Sequence, residues 1–201
     1  MEAADQGISR ADMAVFFFKS SLLKVRRAVR DAVGGVRRWR VAHGSGHVLA
    51  EVVTPLYSDG SAEERGLQLG KVQNLRIAAK ALNGLVIPAG RVFSFWAQVG
   101  APTRHRGYVE GRELRQGCII PTIAGGLCQM SNSLHLAAVR AGCEIVERHG
   151  HTAQVPGSPF APGEDATVFW NYVDLRFRSR QAVRLKVRLS ESDLLVALES
   201  V

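Results

Sequence analysis

The chain has 201 residues, of which 46% are hydrophobic, and 26 basic against 18 acidic side chains give it a net charge of +8. This length and apolar content suffice for the core of one domain with an additional segment. No run reaches the ~18–20 apolar residues that span a bilayer, and the polar first twelve residues do not resemble a secretory signal. We therefore expect a protein that is cytoplasmic or peripheral at a membrane surface.

The positive charge is concentrated near the N-terminus, where residues 1–40 hold nine Lys and Arg against four Asp and Glu. Apolar residues recur at helical spacing and predict an amphipathic helix over 11–38 that Gly34-Gly35 break or end. The members of this apolar stripe are Phe18, Leu22, Val25, Val29, Val33 and Val36. Two interpretations remain open: the helix packs on the domain with its charged side in water, or it rests on an anionic membrane surface. Nucleic-acid binding is not expected, since aromatic platforms and known modules are missing from the sequence.

The remaining chain predicts an α+β fold, in which an antiparallel sheet packs against a central helix that begins at Cys128. We divide the chain into a basic amphipathic segment (1–40), a connecting region with a short strand at 48–53 (41–70) and an α+β domain (71–201). Within the domain, the patterns predict a helix over 71–82, a hairpin of 85–87 with 92–95, a polar loop over 97–117, strands over 117–123, 143–148 and 166–177, and a terminal hairpin of 182–189 with 194–198.

The most informative motif places Cys128 directly after Gly125-Gly126, where apolar helical periodicity begins. A cysteine in the first turn of a helix lies near a partial positive charge, which favours a thiolate and so a reactive nucleophile. Backbone N–H groups of Gly125 and Gly126 would stabilise an oxyanion beside it. Gln129 and Ser131 then either donate hydrogen bonds near the thiolate or satisfy free N–H groups of the helix. The alternative is that Cys128 is a small packing residue.

Candidate partners for Cys128 follow in the order that thiol acyl-transfer enzymes use. A strand ends at His149 and His151, and Asp165 and Asp174 flank the next strand. In such a set the imidazole exchanges the proton of the thiol, and a carboxylate orients the imidazole. The alternatives are that the histidines are structural or exposed, that Asp165 is a turn residue and that Asp174 is an outward strand residue paired with arginine.

The cysteine pattern does not predict a disulfide framework or a metal site. Cys118, Cys128 and Cys143 are odd in number and form no CxxC pair. A zinc site that combines them with His149 and His151 has no recognised ligand spacing. We therefore expect no metal and no cofactor, and we interpret Cys118 and Cys143 as buried small hydrophobic residues.

Several segments carry a family resemblance that covers about residues 15–180. They are 72–80, 82–84, 88–90, 93–96, 125–132, the short histidine motif at His151, 165–168 and 174–178. Together they resemble the VanW family, which is named for an accessory protein of vancomycin B-type resistance. The resemblance implies a cysteine L,D-transpeptidase-like activity on peptidoglycan peptides, with Cys128 as acyl acceptor and His151, at the second position of the motif, as its base.

The sequence therefore predicts a cysteine-dependent acyl-transfer enzyme, transpeptidase- or amidase-like, that acts on a peptidoglycan-type peptide or its precursor. Its catalytic residues would be Cys128, His151 and Asp165. The alternative is a non-catalytic accessory or binding protein, in which the glycine-lined helix N-terminus holds a carboxylate or phosphate. Two partners are predicted: the peptide substrate or, in the alternative, the anionic ligand, and a membrane surface in contact with residues 11–38.

Overall fold

The structure is a computed structural model that describes residues 10–42, 44–57, 64–115, 118–150, 160–161 and 163–201. The α-helices in these ranges are α1 Arg10–Val33, α2 Arg65–Leu82, α3 Phe95–Val99 and α4 Leu127–Arg140, and Arg104–Arg106 form a turn of 3-10 helix. The strands in the same ranges are β1 Val48–Pro55, β2 Val86–Ile87, β3 Val92–Ser94, β4 Glu110–Arg115, β5 Cys118–Ile123, β6 Glu144–Glu147, β7 Arg176–Arg178, β8 Val183–Leu189 and β9 Asp193–Ser200.

The strands form antiparallel sheets, which confirms the α+β prediction. The largest has the order β1-β9-β8-β2, a second has the order β3-β7-β6, and β4 pairs with β5. Helix α4 packs across β1 and β9, while α2 packs on β8 and β4 and also contacts α4. The helix that begins at the Cys128 motif is therefore central, as the periodicity predicts.

The terminal hairpin is confirmed and supplies part of the core. Strands β8 and β9 pair from Val183↔Ser200 to Leu189↔Leu194. Leu185 and Val187 are buried, as their alternation predicts. Arg184, predicted to face outward, is also buried, and its guanidinium lies against Gly44.

Much of the region predicted as connecting is regular structure. Strand β1 extends to Pro55 and pairs along β9, so it forms one edge of the four-stranded sheet. Helix α2 begins at Arg65 rather than at Lys71. Residues 41–70 therefore contribute both a strand and the first turns of a helix to the packed structure.

Three predictions about local structure are wrong, and partners distant in the sequence explain the first and the third. Residues 85–87 and 92–95 do not form a hairpin with each other, since β2 pairs with β8 and β3 pairs with β7. Residues 97–117 are not one long loop, because they contain the end of α3 and strand β4. Residues 166–177 are mostly irregular, and their backbone groups bond to several different elements: the Ala166 N–H donates to Asn132 on α4, and the Thr167 N–H donates to the His149 carbonyl.

Helix α1 ends at Gly34-Gly35 as predicted, but its apolar stripe faces away from the domain. Phe18 is 73% exposed and Val29 is 58% exposed. The helix instead meets the domain through Arg27, which donates two hydrogen bonds to Glu147, and Asp31, which accepts one from Arg176 at 2.6 Å. Helix α1 therefore packs on the domain and leaves Lys19, Arg26 and Arg30 in water, but ion pairs and not the apolar stripe make the contact. Among the helices described, none combines the length and apolarity that crossing a membrane requires.

Candidate functional site

Cys128 lies in the first turn of α4, as the sequence predicts. The helix is entered through Ala124 and Gly126, which both have positive φ angles, 64° and 97°. The thiol is half-buried, and its Sγ lies 3.9 Å from the carbonyl oxygen of Val168. The loop that carries Val168 therefore covers the cysteine at the N-terminal end of α4.

The expected lowering of the Cys128 pKa is not what the structure shows. Burial raises the pKa of this thiol, and the negative charges of Glu113 and Asp165 act in the same direction. A helix N-terminus stabilises a thiolate only in part, because desolvation disfavours the charged form. The surroundings of Cys128 therefore favour the protonated thiol over the thiolate.

The glycines before Cys128 are explained by close packing of the backbone. A Cβ on Gly125 would lie 2.3 Å from the carbonyl oxygen of Gly111 on β4, and a Cβ on Gly126 would lie 2.1 Å from Cγ of Lys71 on α2. The N–H of Gly125 donates to Thr122 at 2.8 Å and is therefore engaged in a turn. The predicted oxyanion role accordingly rests on Gly126, the N-cap residue of α4.

Asn74 on α2 fixes this junction and was missed by the sequence analysis. Its Nδ2 donates to the carbonyl oxygens of Val109 and Gly125, and its Oδ1 accepts from the Val109 N–H, each at 3.0 Å. The side chain is fully buried. An asparagine between Val72 and Leu75, on the apolar face of an amphipathic helix, is the signal that would have found it.

Lys71 is the second residue that the sequence analysis missed. It is 8% exposed, its aliphatic stem crosses Gly126, and its ammonium has no hydrogen bond or ion pair within the described ranges. Burial lowers the pKa of Lys71 to about 8, and the nearby charge of Arg112 acts in the same direction. The ammonium itself keeps solvent access at the end of the buried stem. A cation beside a helix N-terminus favours the binding of an anion. The signal in the sequence was that Lys71 lies four residues before Leu75, on the apolar face of α2.

The two candidate histidines differ in what the structure describes. His151 lies outside the described residues, but the preceding Gly150 does not. A Cβ on Gly150 would be 3.4 Å from Oδ1 of Asp165. His149 is exposed and its Nε2 lies 3.3 Å from Oε1 of Glu147, which places it beside the contact with α1.

The two candidate aspartates lie in different surroundings. Asp165 forms an ion pair with Arg148 at 3.0 Å, and its charge acts on Cys128. Asp174 is 1% exposed in its side chain and accepts hydrogen bonds from Ser94, from the Trp96 N–H and from Arg176. Asp174 is therefore a buried member of the ion-pair network beneath α1, whereas Asp165 lies alongside the middle of α4 and acts on the thiol through its charge.

Gln129 and Ser131 position the elements that surround Cys128. Gln129 Nε2 donates to Thr54 Oγ1 at 3.0 Å and to the Pro55 carbonyl at 2.8 Å, which joins α4 to the end of β1. Ser131 donates to the carbonyl oxygens of Cys128 and Ala166. Both side chains thus donate to oxygen atoms, so the interpretation that they satisfy free N–H groups of the helix is wrong.

A third histidine, His135, lies two turns after Cys128 on α4 and also escaped the sequence analysis. Seven residues return to the same helix face, about 10 Å further along the axis. His135 is buried, its Nδ1 lies 2.8 Å from the Glu164 carbonyl, and burial lowers its pKa. A neutral His135 therefore anchors the residues immediately before Asp165.

Comparison with known proteins gives consistent matches. A model of the family described as VanW like protein matches residues 70–199. The chain is 34% identical over 162 residues to Uncharacterized protein YoaR of Bacillus subtilis, and this alignment covers 80% of this chain and 50% of YoaR. It is 35% identical over 136 residues to Vancomycin B-type resistance protein VanW of Enterococcus faecalis, and this alignment covers 66% of this chain and 50% of that protein. The chain thus spans about half the length of these relatives. No solved structure matches.

Proposed function

Since this chain belongs to the VanW-like protein family, we propose that it is a cysteine-dependent acyl-transfer enzyme of transpeptidase or amidase type. The family is linked to vancomycin resistance. We therefore propose as substrate a peptide of the peptidoglycan type or its precursor, with Cys128, His151 and Asp165 as the catalytic residues.

One arrangement carries the proposal: Asp165 lies within electrostatic range of Cys128 and also beside Gly150, the residue before His151. Gly150 is the residue next to the proposed base, and its closeness to the proposed orienting carboxylate supports the pairing of His151 with Asp165. Arg148 donates to both the carbonyl and the carboxylate of Asp165, at 2.6 and 3.0 Å, and so restricts this residue. Such restriction is what an orienting carboxylate requires.

The proposed reaction proceeds in two balanced steps. The thiol of Cys128 gives its proton to His151, and the sulfur attacks the substrate carbonyl carbon. The C–N bond breaks, the amine leaves with that proton, and a thioester remains on Cys128. An acceptor amine (transpeptidation) or water (amidase reaction) then attacks the thioester and gives a proton to His151, which returns it to the sulfur. During each attack, the N–H of Gly126 would stabilise the oxyanion.

The raised pKa of Cys128 is compatible with this reaction. A thiol that stays protonated until a base approaches reacts slowly with oxidants and other electrophiles. The Asp165 carboxylate lowers the reactivity of the resting thiol, yet it stabilises the imidazolium that forms when His151 accepts the proton. Asp165 therefore keeps Cys128 less reactive at rest but supports the imidazolium of His151 once the proton has been transferred.

The experiment uses the full chain with synthetic peptidoglycan stem peptides and intact-mass measurement. We expect a mass increase equal to the acyl group at Cys128 and release of an amine. The adduct should be lost in Cys128→Ala and strongly reduced in His151→Ala, while Cys143→Ser, which alters the other described free thiol, should behave as the parent. Peptide turnover that persists in Cys128→Ala would overturn the proposal.

Lys71 supports a second candidate function, a module that binds an anionic ligand without catalysis. The ammonium of Lys71 and the N-terminus of α4 both favour a carboxylate or phosphate, while the nearby Arg112 is already paired with Glu64 at 3.0 Å. In this case a peptide with a free C-terminal carboxylate should bind more tightly than its C-terminal amide in calorimetry. The difference should vanish in Lys71→Met, and Cys128→Ser should keep it. Equal affinity for both peptides would exclude this function.

A further inference from the structure

The outward face of α1 is an apolar surface that the domain leaves uncovered. Six of its apolar side chains are each more than half exposed, and they follow one another at three- and four-residue spacing. They are Val15, Phe18, Leu22, Val25, Val29 and Val33, and we refer to them as the α1 stripe. A continuous apolar helix face that stays in water is an unfavourable arrangement, and it marks an interaction surface.

The orientation of the α1 stripe is fixed by buried charges on the opposite side of the helix. Arg27 is 7% exposed, donates two hydrogen bonds to Glu147 and donates a third to the Tyr172 carbonyl at 2.9 Å. Asp31 accepts from Arg176 at 2.6 Å, one turn further along. These contacts join α1 to residues more than a hundred positions away, so the stripe points outward because the fold holds it there.

Basic side chains border the stripe. Lys19, Arg26 and Arg30 are exposed, and Lys24 is half-exposed. Arg37 and Arg38, just beyond the helix, are exposed as well. Asp31, in contrast, is engaged with Arg176 and does not offset this charge. The uncovered face therefore combines an apolar stripe with a border of positively charged side chains.

We propose that the α1 stripe docks on an anionic lipid surface, with the helix lying in the plane of the interface. Apolar side chains enter the boundary of the acyl chains, while the flanking lysine and arginine side chains reach the acidic headgroups. A second copy of the chain is a poorer occupant, because two such faces would bring like charges together without complementary acids. This proposal is independent of the cysteine chemistry.

The test is co-sedimentation of the full chain with vesicles of phosphatidylcholine alone or mixed with phosphatidylglycerol. Binding to the mixed vesicles is expected and should decrease as salt is added. Val29→Asp should reduce the partition coefficient by roughly tenfold. The matched control is Val53→Asp, which makes the same substitution at a similarly exposed residue of β1 and should bind as the parent.

A charge reversal separates the electrostatic contribution from the apolar one. Arg26→Glu should weaken binding to the mixed vesicles by about tenfold, whereas Arg188→Glu, an exposed arginine on β8, should not. Circular dichroism confirms that each variant is folded. The proposal is overturned if the parent does not bind the mixed vesicles or if Val29→Asp binds as well as the parent. A dimer that Val29→Asp abolishes, without vesicle binding, would assign the stripe to a second copy instead.

Discussion

The contact beneath α1 and the junction before α4 both bury charged groups, but they treat them differently. Beneath α1, Arg27, Glu147, Asp174 and Arg176 hydrogen-bond to one another or to neighbouring groups. Before α4, the stem of Lys71 is equally buried, but its ammonium reaches solvent and has no partner within the described ranges. Buried charges that are paired hold a fold together, whereas a charge without a partner on a largely buried side chain costs stability and is common at functional sites.

The largest expected effect comes from opening the network beneath α1. Glu147→Gln removes the carboxylate that Arg27 contacts and leaves a buried guanidinium without its counter-charge. We expect a loss of about 4 kcal/mol in the free energy of unfolding, measured by urea denaturation. Glu144→Gln, on the same strand but 62% exposed in its side chain, should change stability by less than about 0.5 kcal/mol.

The same network predicts acid sensitivity. Burial raises the pKa of Glu147, whereas the hydrogen bond and charge of Arg27 and the charge of Arg176 lower it. The lowering effects together are larger, so the pKa of Glu147 is below its ordinary value. The stabilisation is therefore present above the ordinary pKa and is lost as the pH falls through the folded value. If Glu147→Gln and the parent lose stability equally in acid, the network is not what holds α1.

The next effect tests whether close packing explains the glycine motif. Gly126 has a φ of +97°, and Gly126→Ala places a Cβ 2.1 Å from Cγ of Lys71. This Cγ lies close to the backbone of Lys71, so it cannot move away easily. We expect a loss of about 3 kcal/mol. Gly142→Ala, at a φ of +70° with nothing within 4 Å, should cost only about 1 kcal/mol.

A double-mutant cycle completes this test. If the clash with Lys71 is the cause, Lys71→Ala should recover part of the stability that Gly126→Ala loses, so the two changes are not additive. Strict additivity in thermal unfolding would mean that backbone strain alone accounts for the cost of Gly126→Ala.

A smaller and opposite effect is expected at Lys71 itself. Its pKa falls from the ordinary 10.5 to about 8 on folding, so between these values the unfolded chain binds more protons and stability rises with pH. Lys71→Met should raise stability at pH 7 by about 2 kcal/mol and remove this rise. Lys80→Met, at an exposed position of the same helix, should leave the pH profile unchanged. A parent profile that stays flat from pH 8 to 10 would show that the ammonium has a partner.

The smallest effect concerns the resting thiol. Because burial raises the pKa of Cys128, iodoacetamide should label it more slowly at pH 7 than it labels free cysteine, with labelling that accelerates above pH 9. Peptide mass spectrometry separates this site from Cys143. Rapid labelling at pH 7 that His151→Ala abolishes would instead show that the base already activates the thiol in the absence of substrate.

Local patterns were sufficient to predict α4, the Cys128 position and the terminal hairpin, because adjacent residues determine periodicity and turns. They failed for β2 and β3, which pair with strands more than eighty residues away. The α1 stripe shows the same limitation more sharply. Its apolar pattern left open whether the stripe contacts the domain or a membrane surface. The ion pairs of Glu147 and Arg176 with α1 accompany an outward-facing stripe, and no local pattern contains them.

Prediction of the candidate site was similarly divided. Cys128 lies at the start of α4 and Asp165 lies alongside its middle, where its charge acts on the thiol, whereas His149 and Asp174 lie with the α1 contact. Lys71 and Asn74 were missed because their burial depends on how α2 packs against β4 and the Gly125-Gly126 turn. The role of His151 stays a prediction, since it lies outside the described residues.

Strand β1 has a practical consequence for any shortened version of the protein. The family match begins at residue 70, after β1, yet β1 covers one side of β9. A fragment limited to 70–199 would turn β9 into an open edge rich in leucine and valine, which favours aggregation. It would also lose Thr54 and Pro55, the acceptors of Gln129 beside Cys128. The smallest unit that keeps both the sheet and the surroundings of the thiol therefore begins before β1.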